Sequence, residues 1–251
     1  MALITVGSMG DFSVVPLARA KKALANARRV DSFSVLAEVA RETPANAFDF
    51  AVSAEPRGLA LQSLQLKREF QNFLARLFKK TSKIFFLAWA WDMTSLSAYP
   101  GDKADPRSCL IPLKGGDLRE FIGAGAVLFP PRQITAGLAL RIQIWESSAG
   151  MKHFGEKMEK VTAAIQESKL NTALVGLAAG AGVATGGAAG AIALVEPAAL
   201  ELAKRIGGIL KEAKDDAVDY FEGYFPASDP WAKGRETHQG NGSKIVLNRL
   251  S

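Results

Sequence analysis

Apolar positions along the chain follow two periods, one of two residues and one of three to four. Leu138, Leu140, Ile142 and Ile144 share one side of an alternating run and Arg141 and Gln143 share the other, which predicts a strand over Leu138–Trp145. Phe48, Phe50 and Val52 alternate with Asp49, Ala51 and Ser53 and predict a half-buried strand. Ile84–Trp91 is an unbroken apolar and aromatic run, the pattern of a buried strand. Cys109–Leu113 is a further strand, confined to a sheet edge because Pro112 cannot donate to a ladder. Ala124–Phe129 is another, separated from Leu138–Trp145 by Pro130-Pro131, and Lys244–Leu247 reads as a closing strand.

Elsewhere the helical period dominates. Leu66, Phe70, Phe73, Leu74, Leu77 and Phe78 fall on one face of a helix within Leu59–Ser82, and Lys67, Arg68, Arg76, Lys79 and Lys80 lie opposite. Phe154, Met158, Val161 and Ile165 mark a helix beginning at Met151, and Ala199, Ala203, Ile206 and Leu210 mark a second over Ala198–Ala217. Pro16 opens an Ala-, Lys- and Arg-rich helix to Arg29. Asp31 or Ser32 caps another that runs to about Glu42, before Pro44. Pro56 and Gly58 make a turn, and residues 92–107 and the segment holding Pro226, Pro230 and Gly234 read as loops. This order predicts a segregated α+β fold: an antiparallel β-sandwich-like sheet with N-terminal helices and a long Gly/Ala-rich helical hairpin. The expected organisation is a helical segment (1–45), a β-rich body with a basic amphipathic helix at 59–82 (46–150), the hairpin (151–217), and a C-terminal loop and closing strand (218–251).

The hairpin contains the most unusual stretch. Leu170–Val195 has 26 residues without Asp, Glu, Lys, Arg or His, and six are glycines. Gly176, Gly180, Gly182, Gly186 and Gly190 give three pairs spaced four apart, the spacing that lets helix backbones approach closely. The span exceeds the ~20 residues needed to cross a bilayer as a helix. Ala and Gly gain little from lipid, however, and Gly186-Gly187 can serve as a bend. A single-pass helix, a hairpin that enters a membrane conditionally, and a hairpin packed against a sheet or a partner subunit all fit. In composition the stretch resembles the hydrophobic helical hairpins of pore-forming colicins. The resemblance covers only these residues, and the predicted strands depart from an all-helical colicin domain.

Length and composition narrow the classes further. The 251 residues are 48% hydrophobic and 22% charged, enough to bury a core and incompatible with wholesale disorder. One cysteine, Cys109, excludes a disulfide framework within the chain and reads as an inert core thiol. The net charge of +6 resides in residues 1–90, which hold 13 basic and 7 acidic side chains. A basic N-terminal part next to an apolar-faced helix fits an anionic membrane surface. No nucleic-acid module or aromatic–basic interleaving is visible, so nucleic acid is not an expected partner. Met1–Gly10 lacks a secretory pattern. The expected location is cytoplasmic at synthesis, with membrane association or signal-independent export to follow.

Catalytic motifs are missing. Gly180-Ala181-Gly182 with Gly186 lacks the preceding strand and third-glycine spacing of a dinucleotide fingerprint. Neither a Gly-Lys-Ser/Thr phosphate loop, a Gly-x-Ser-x-Gly elbow nor a His-Glu-x-x-His pair occurs. His153 reads as a helix-surface residue and His238 as part of a Gly-rich polar loop. Asp92, Asp102 and Asp105 share one loop and offer oxygen ligands for Ca²⁺, which resembles the tip loops of C2-type membrane-binding sandwiches. Asp215, Asp219 and Glu222 have the spacing of one helix face. No cofactor or small-molecule substrate is indicated. The expectation is a non-enzymatic membrane-active protein that associates with or inserts into a bilayer, including pore formation of the toxin kind. Its counterpart is a self-assembling or protein-interaction module whose hairpin packs within or between subunits. The residues carrying these readings are the five glycines and the five basic residues above.

Overall fold

The computed structural model describes residues 4–7, 52–67, 81–101, 105, 109–147, 151–178, 195, 198–199, 201–202, 205–210, 212, 215–227 and 229–251. In chain order its strands begin with β1 (Ile4–Gly7), β2 (Arg57–Leu66), β3 (Ser82–Trp91), β4 (Leu96–Tyr99), β5 (Ile111–Leu113), β6 (Leu118–Glu120), β7 (Ala126–Arg132) and β8 (Gly137–Glu146). Two helices follow, α1 (Met151–Gln166) and α2 (Lys169–Ala178), and then β9 (Asp216–Pro226), β10 (Gly234–Gln239) and β11 (Ser243–Leu250). The expected N-terminal helices, the strand around Phe48–Phe50 and the bend at Gly186-Gly187 lie outside the described residues.

The strands form two antiparallel sheets. The first runs β1-β9-β8-β3-β4, with β5 also on β3; the second runs β10-β11-β2-β6, with β7 also on β2. Both have an outer flank divided between two short strands. Residues 88–91 of β3 pair with β4 and 82–84 with β5, while 63–65 of β2 pair with β6 and 57–61 with β7. Short, interrupted outer strands blunt an edge that would otherwise template pairing with other chains.

Between the sheets lies an apolar core. Leu59, Leu61, Leu64, Leu128, Phe129, Ile245 and Leu247 from one sheet meet Ile84, Phe86, Leu138, Leu140, Ile142, Ile144, Phe221 and Phe225 from the other. Alternation in β8 thus delivers Leu138, Leu140, Ile142 and Ile144 to the sandwich interior as expected. The other face of the first sheet is covered too. Phe85, Leu87, Trp89, Trp91, Trp145, Tyr220 and Tyr224 pack there against Phe154, Met158, Val161 and Ile165 of α1, Leu170 and Leu174 of α2, and Val195, Leu202, Ile206 and Leu210. The described residues therefore form three layers: sheet, sheet and helices.

Several expectations are corrected. Leu59–Leu66 is not the start of a helix but the end of β2. Its leucines alternate as Leu59 and Leu61, then Leu64 and Leu66, with Gln62 left without a partner on β11, where Val246 faces Ser63 and Leu247 faces Leu61. That extra residue shifts the alternation by one and mimics a helical spacing. Of the basic residues assigned to that helix, Lys67 is described and Arg68, Arg76, Lys79 and Lys80 are not. The helix expected over Ala198–Ala217 gives way at Asp216 to β9, whose aromatic-rich Tyr220-Phe221-Glu222-Gly223-Tyr224-Phe225 suits a strand buried on both faces. Asp215, Asp219 and Glu222 therefore share no helix face. The loop expected over 92–107 contains β4, and β7 runs through Pro130-Pro131 to Arg132 because it lies on an outer flank. His238 sits on β10 opposite Ile245 rather than in a loop.

The frame around Gln62 is tight. Gly125 has φ +101°, and a Cβ there would stand 2.6 Å from the Leu61 carbonyl oxygen. Gly123 also has positive φ, +67°, but nothing lies within 4 Å of its Cβ position. Gly125→Ala is therefore expected to cost clearly more stability than Gly123→Ala, about 2–4 kcal/mol against about 1–2 kcal/mol, in urea unfolding.

Candidate functional site

Helices α1 and α2 and the helical residues up to 212 occupy the connection between β8 and β9, two antiparallel neighbours whose ladder ends at the pair Glu146↔Asp216. The chain leaves the sheet and returns to it at directly paired residues. Residues 147–215 are thus an insertion in one expanded hairpin. The boundary between this insertion and the first sheet is the candidate site.

Adjacent strands build the sheet side row by row. Trp89, Arg141 and Glu222 form one row across β3, β8 and β9; Leu87, Gln143 and Tyr220 form the next. Sequence reading separated Arg141 and Gln143 from the core face of β8, but the helical layer buries them, Arg141 to 1% and Gln143 to 0% exposure. Arg141 donates from Nε to Glu222 Oε1 at 2.8 Å and from Nη1 to the Ala199 carbonyl at 3.1 Å, and its Nη2 lies 2.6 Å from the same carboxylate oxygen. Its guanidinium also lies 5.4 Å from the Trp91 ring centre. One side chain thereby ties β8 to β9 and both to the returning helical segment. Gln143 Oε1 accepts from Trp145 Nε1 at 3.2 Å, while Gln143 Nε2 and Trp89 Nε1 are buried with no hydrogen-bond partner among the described residues.

A second buried pair closes the base of the insertion. Lys157 on α1 forms an ion pair with Asp215, one residue before β9, and donates to Ser147 Oγ at 3.3 Å, one residue after β8. Its Nζ lies 4.9 Å from the ring centres of both Phe85 and Phe154, which meet edge to face at 5.1 Å. Ser168 separates the two helices. Its carbonyl accepts from the Thr172 N–H and its hydroxyl from the Asn171 N–H at 3.1 Å, capping α2 two residues before the charge-free stretch.

The other predicted residues are dispersed. Gly176 lies in α2; Gly180, Gly182, Gly186 and Gly190 lie outside the described residues. Lys67 is half-buried at the end of β2, where Nζ donates to the Gly240 carbonyl at 2.5 Å, so it belongs to the β10–β11 turn contact. Asp92 is buried, and its carboxylate accepts from the backbone N–H groups of Thr94 (3.0 Å), Ser95 (2.9 Å) and Thr135 (3.1 Å) and from both hydroxyls. It organises a turn. Asp105 accepts the Cys109 thiol through its carbonyl at 3.7 Å, and Asp102 is not described. No cluster of three or more His, Cys, Asp or Glu suited to a metal ion occurs among the described residues. Asp219 bonds the β10–β11 turn through Asn241 N–H (2.7 Å), Gly242 N–H (3.0 Å) and the Ser243 hydroxyl (2.6 Å). Burial pushes its carboxyl above the usual range, against the pull of these donors. His153 is exposed beside Glu156, as a helix-surface residue should be.

No protein-family model matches the chain, and no curated protein matches it. Among the described residues the site is a packed boundary in which tryptophans and two buried ion pairs lie between a sheet and an inserted helical layer.

Two measurements follow from these placements. A buried ion pair stabilises little against an apolar replacement, but losing one partner is costly. Arg141→Met is expected to cost about 3–5 kcal/mol, and Arg141→Met/Glu222→Leu to recover most of that loss, in denaturant unfolding. Burial holds the His238 imidazole below its ordinary 6.5, against the pull of Glu236 and aided by Arg249. As pH falls through 6.5 the unfolded chain takes the proton first, so stability declines with acidification until the lower folded value is passed. His238→Gln is expected to flatten that decline in unfolding midpoints measured from pH 8 to pH 5.

Proposed function

We propose that the chain is a non-enzymatic membrane-active protein whose inserted helical layer is held on the first sheet in a stored form and released at a bilayer. The observation that carries the reading is the chemistry of the boundary. An insertion that starts and ends at paired residues can leave without dismantling either sheet. It would leave behind a face on which Arg141, Glu222 and Gln143 interrupt the rings of Phe85, Trp89, Trp91, Trp145, Tyr220 and Tyr224, and which water solvates better than it would a face with no polar group. The charge-free stretch from Leu170 supplies the segment that would meet lipid, with Gly176, Gly180, Gly182, Gly186 and Gly190 as close-contact positions. Lys67 is engaged with the β10–β11 turn, and the remaining basic residues Arg68, Arg76, Lys79 and Lys80 would draw the protein to anionic headgroups.

A second reading has its own support. The described helices bury their apolar sides on the sheet of the same chain, and none of them is long and apolar enough to cross a membrane. This favours a module whose hairpin packs within or between subunits, with a second copy as partner.

Dye release from vesicles containing phosphatidylserine distinguishes the two. The membrane reading predicts release by the wild type, faster release by Lys157→Met, which breaks the pair at the base, and slower release by Arg141→Met/Glu222→Leu, which makes the dock apolar. Absence of release and of vesicle association at low salt across the pH range, together with a discrete oligomer in detergent-free buffer, would establish the second reading.

A further inference from the structure

The exposed apolar side chains of the second sheet gather around one feature. Strands β6 and β7 follow the same flank of β2, and residues 121–125 leave that flank opposite Gln62. The excursion is held at both ends. Phe121 N–H donates to the Gln62 carbonyl at 2.9 Å, and Gln62 Nε2 donates back to the Phe121 carbonyl at 2.8 Å. The Phe121 ring turns inward and meets Phe86 edge to face at 5.8 Å. At the other end Asn248 Nδ2 donates to the Ala124 carbonyl at 3.2 Å. Within this frame Ile122 is 99% exposed.

Two more apolar residues share the surroundings. Register places Leu118 opposite Gln65 and Val127 opposite Ala60, both on the outward face of the second sheet, and they are 53% and 44% exposed. A turn that needs glycines for its backbone has no structural use for a solvent-exposed isoleucine, since small and polar residues serve there without exposing apolar area.

We propose that the Ile122 excursion is a membrane-contact point that enters the headgroup–acyl boundary of an anionic bilayer. The inference deepens the membrane reading above and rests on it. Shape selects lipid as the occupant: a convex apolar tip requires a matching pocket in a protein partner, whereas a bilayer accepts it without one. Charge agrees: exposed Arg119 lies on β6 beside the excursion, half-exposed Lys244 lies across Gln65 from Leu118, exposed Arg235 lies beyond Asn248, and exposed Lys114 lies in the turn before β6, against Asp117 and Glu120. The combination of an apolar wedge and a basic surround is that of interfacial anchoring. It also gives the protein a first contact that leaves the helical layer in place.

Flotation with vesicles of phosphatidylcholine and phosphatidylserine tests the proposal, using the full chain, Ile122→Asp and the conservative Ile122→Leu. Ile122 is exposed, so both variants should unfold at the wild-type urea midpoint, and that measurement is made first. The expected result is wild-type binding by Ile122→Leu and binding weakened roughly tenfold or more by Ile122→Asp. Equal flotation of wild type and Ile122→Asp would overturn this inference and leave the membrane reading intact. No flotation of the wild type would overturn both. Concentration-dependent self-association abolished by Ile122→Asp, without flotation, would assign the tip to a second copy of the chain instead of lipid.

Discussion

The ladder between β8 and β9 runs from Gly137↔Pro226 to Glu146↔Asp216, and both of its faces are buried. One face supplies Leu138, Leu140, Ile142, Ile144, Phe221 and Phe225 to the sandwich; the other carries Arg141, Gln143, Trp145, Tyr220 and Glu222 under the helices. Removing this pair of strands would leave the sandwich without its central inner surface and the helical layer without attachment. The two faces are chemically unlike. The sandwich side is aliphatic and aromatic, so its packing follows from area alone. The helix side mixes aromatic rings with charges that must stay paired to be tolerated.

On the proposed reading, that asymmetry lets the insertion separate while remaining well packed. Phe154, Met158, Val161 and Ile165 place a full helix face on the sheet, which is a substantial hydrophobic contribution. Arg141 to Glu222 and Lys157 to Asp215 add specificity of position with little net stabilisation, because each pair gives up hydration on docking. Buried Trp89 Nε1 and Gln143 Nε2, without partners among the described residues, lower the balance further.

Local periodicity made part of this visible. Strands β3 and β8 and the buried face of α1 follow directly from runs of alternating or helical spacing, and Pro112 correctly confined β5 to a flank. Strand β2 was hidden by its extra residue Gln62, which turns an alternating leucine pattern into one that also fits a helix. The carboxylates at 215, 219 and 222 hid β9, because their spacing imitates a helix face; the aromatic content of the same segment was the better signal. The site itself was not legible. Arg141 meets Glu222 across 81 residues of sequence and Lys157 meets Asp215 across 58, and neither pair leaves a local mark. Tryptophans at alternate positions on β3, with Trp145 on β8, were the available hint that a second layer covers the sheet. Gly180, Gly182, Gly186 and Gly190 remain readings of the sequence.

The central claim is that the insertion is a cooperative unit distinct from the sheets that carry it. Native-state amide hydrogen exchange measures this directly, because it reports the free energy at which each element opens. The account predicts that amides of α1, α2 and residues 205–210 exchange together at an opening free energy clearly below that of β3, β8 and β9. Exchange of helices and central strands through one common global opening would contradict it.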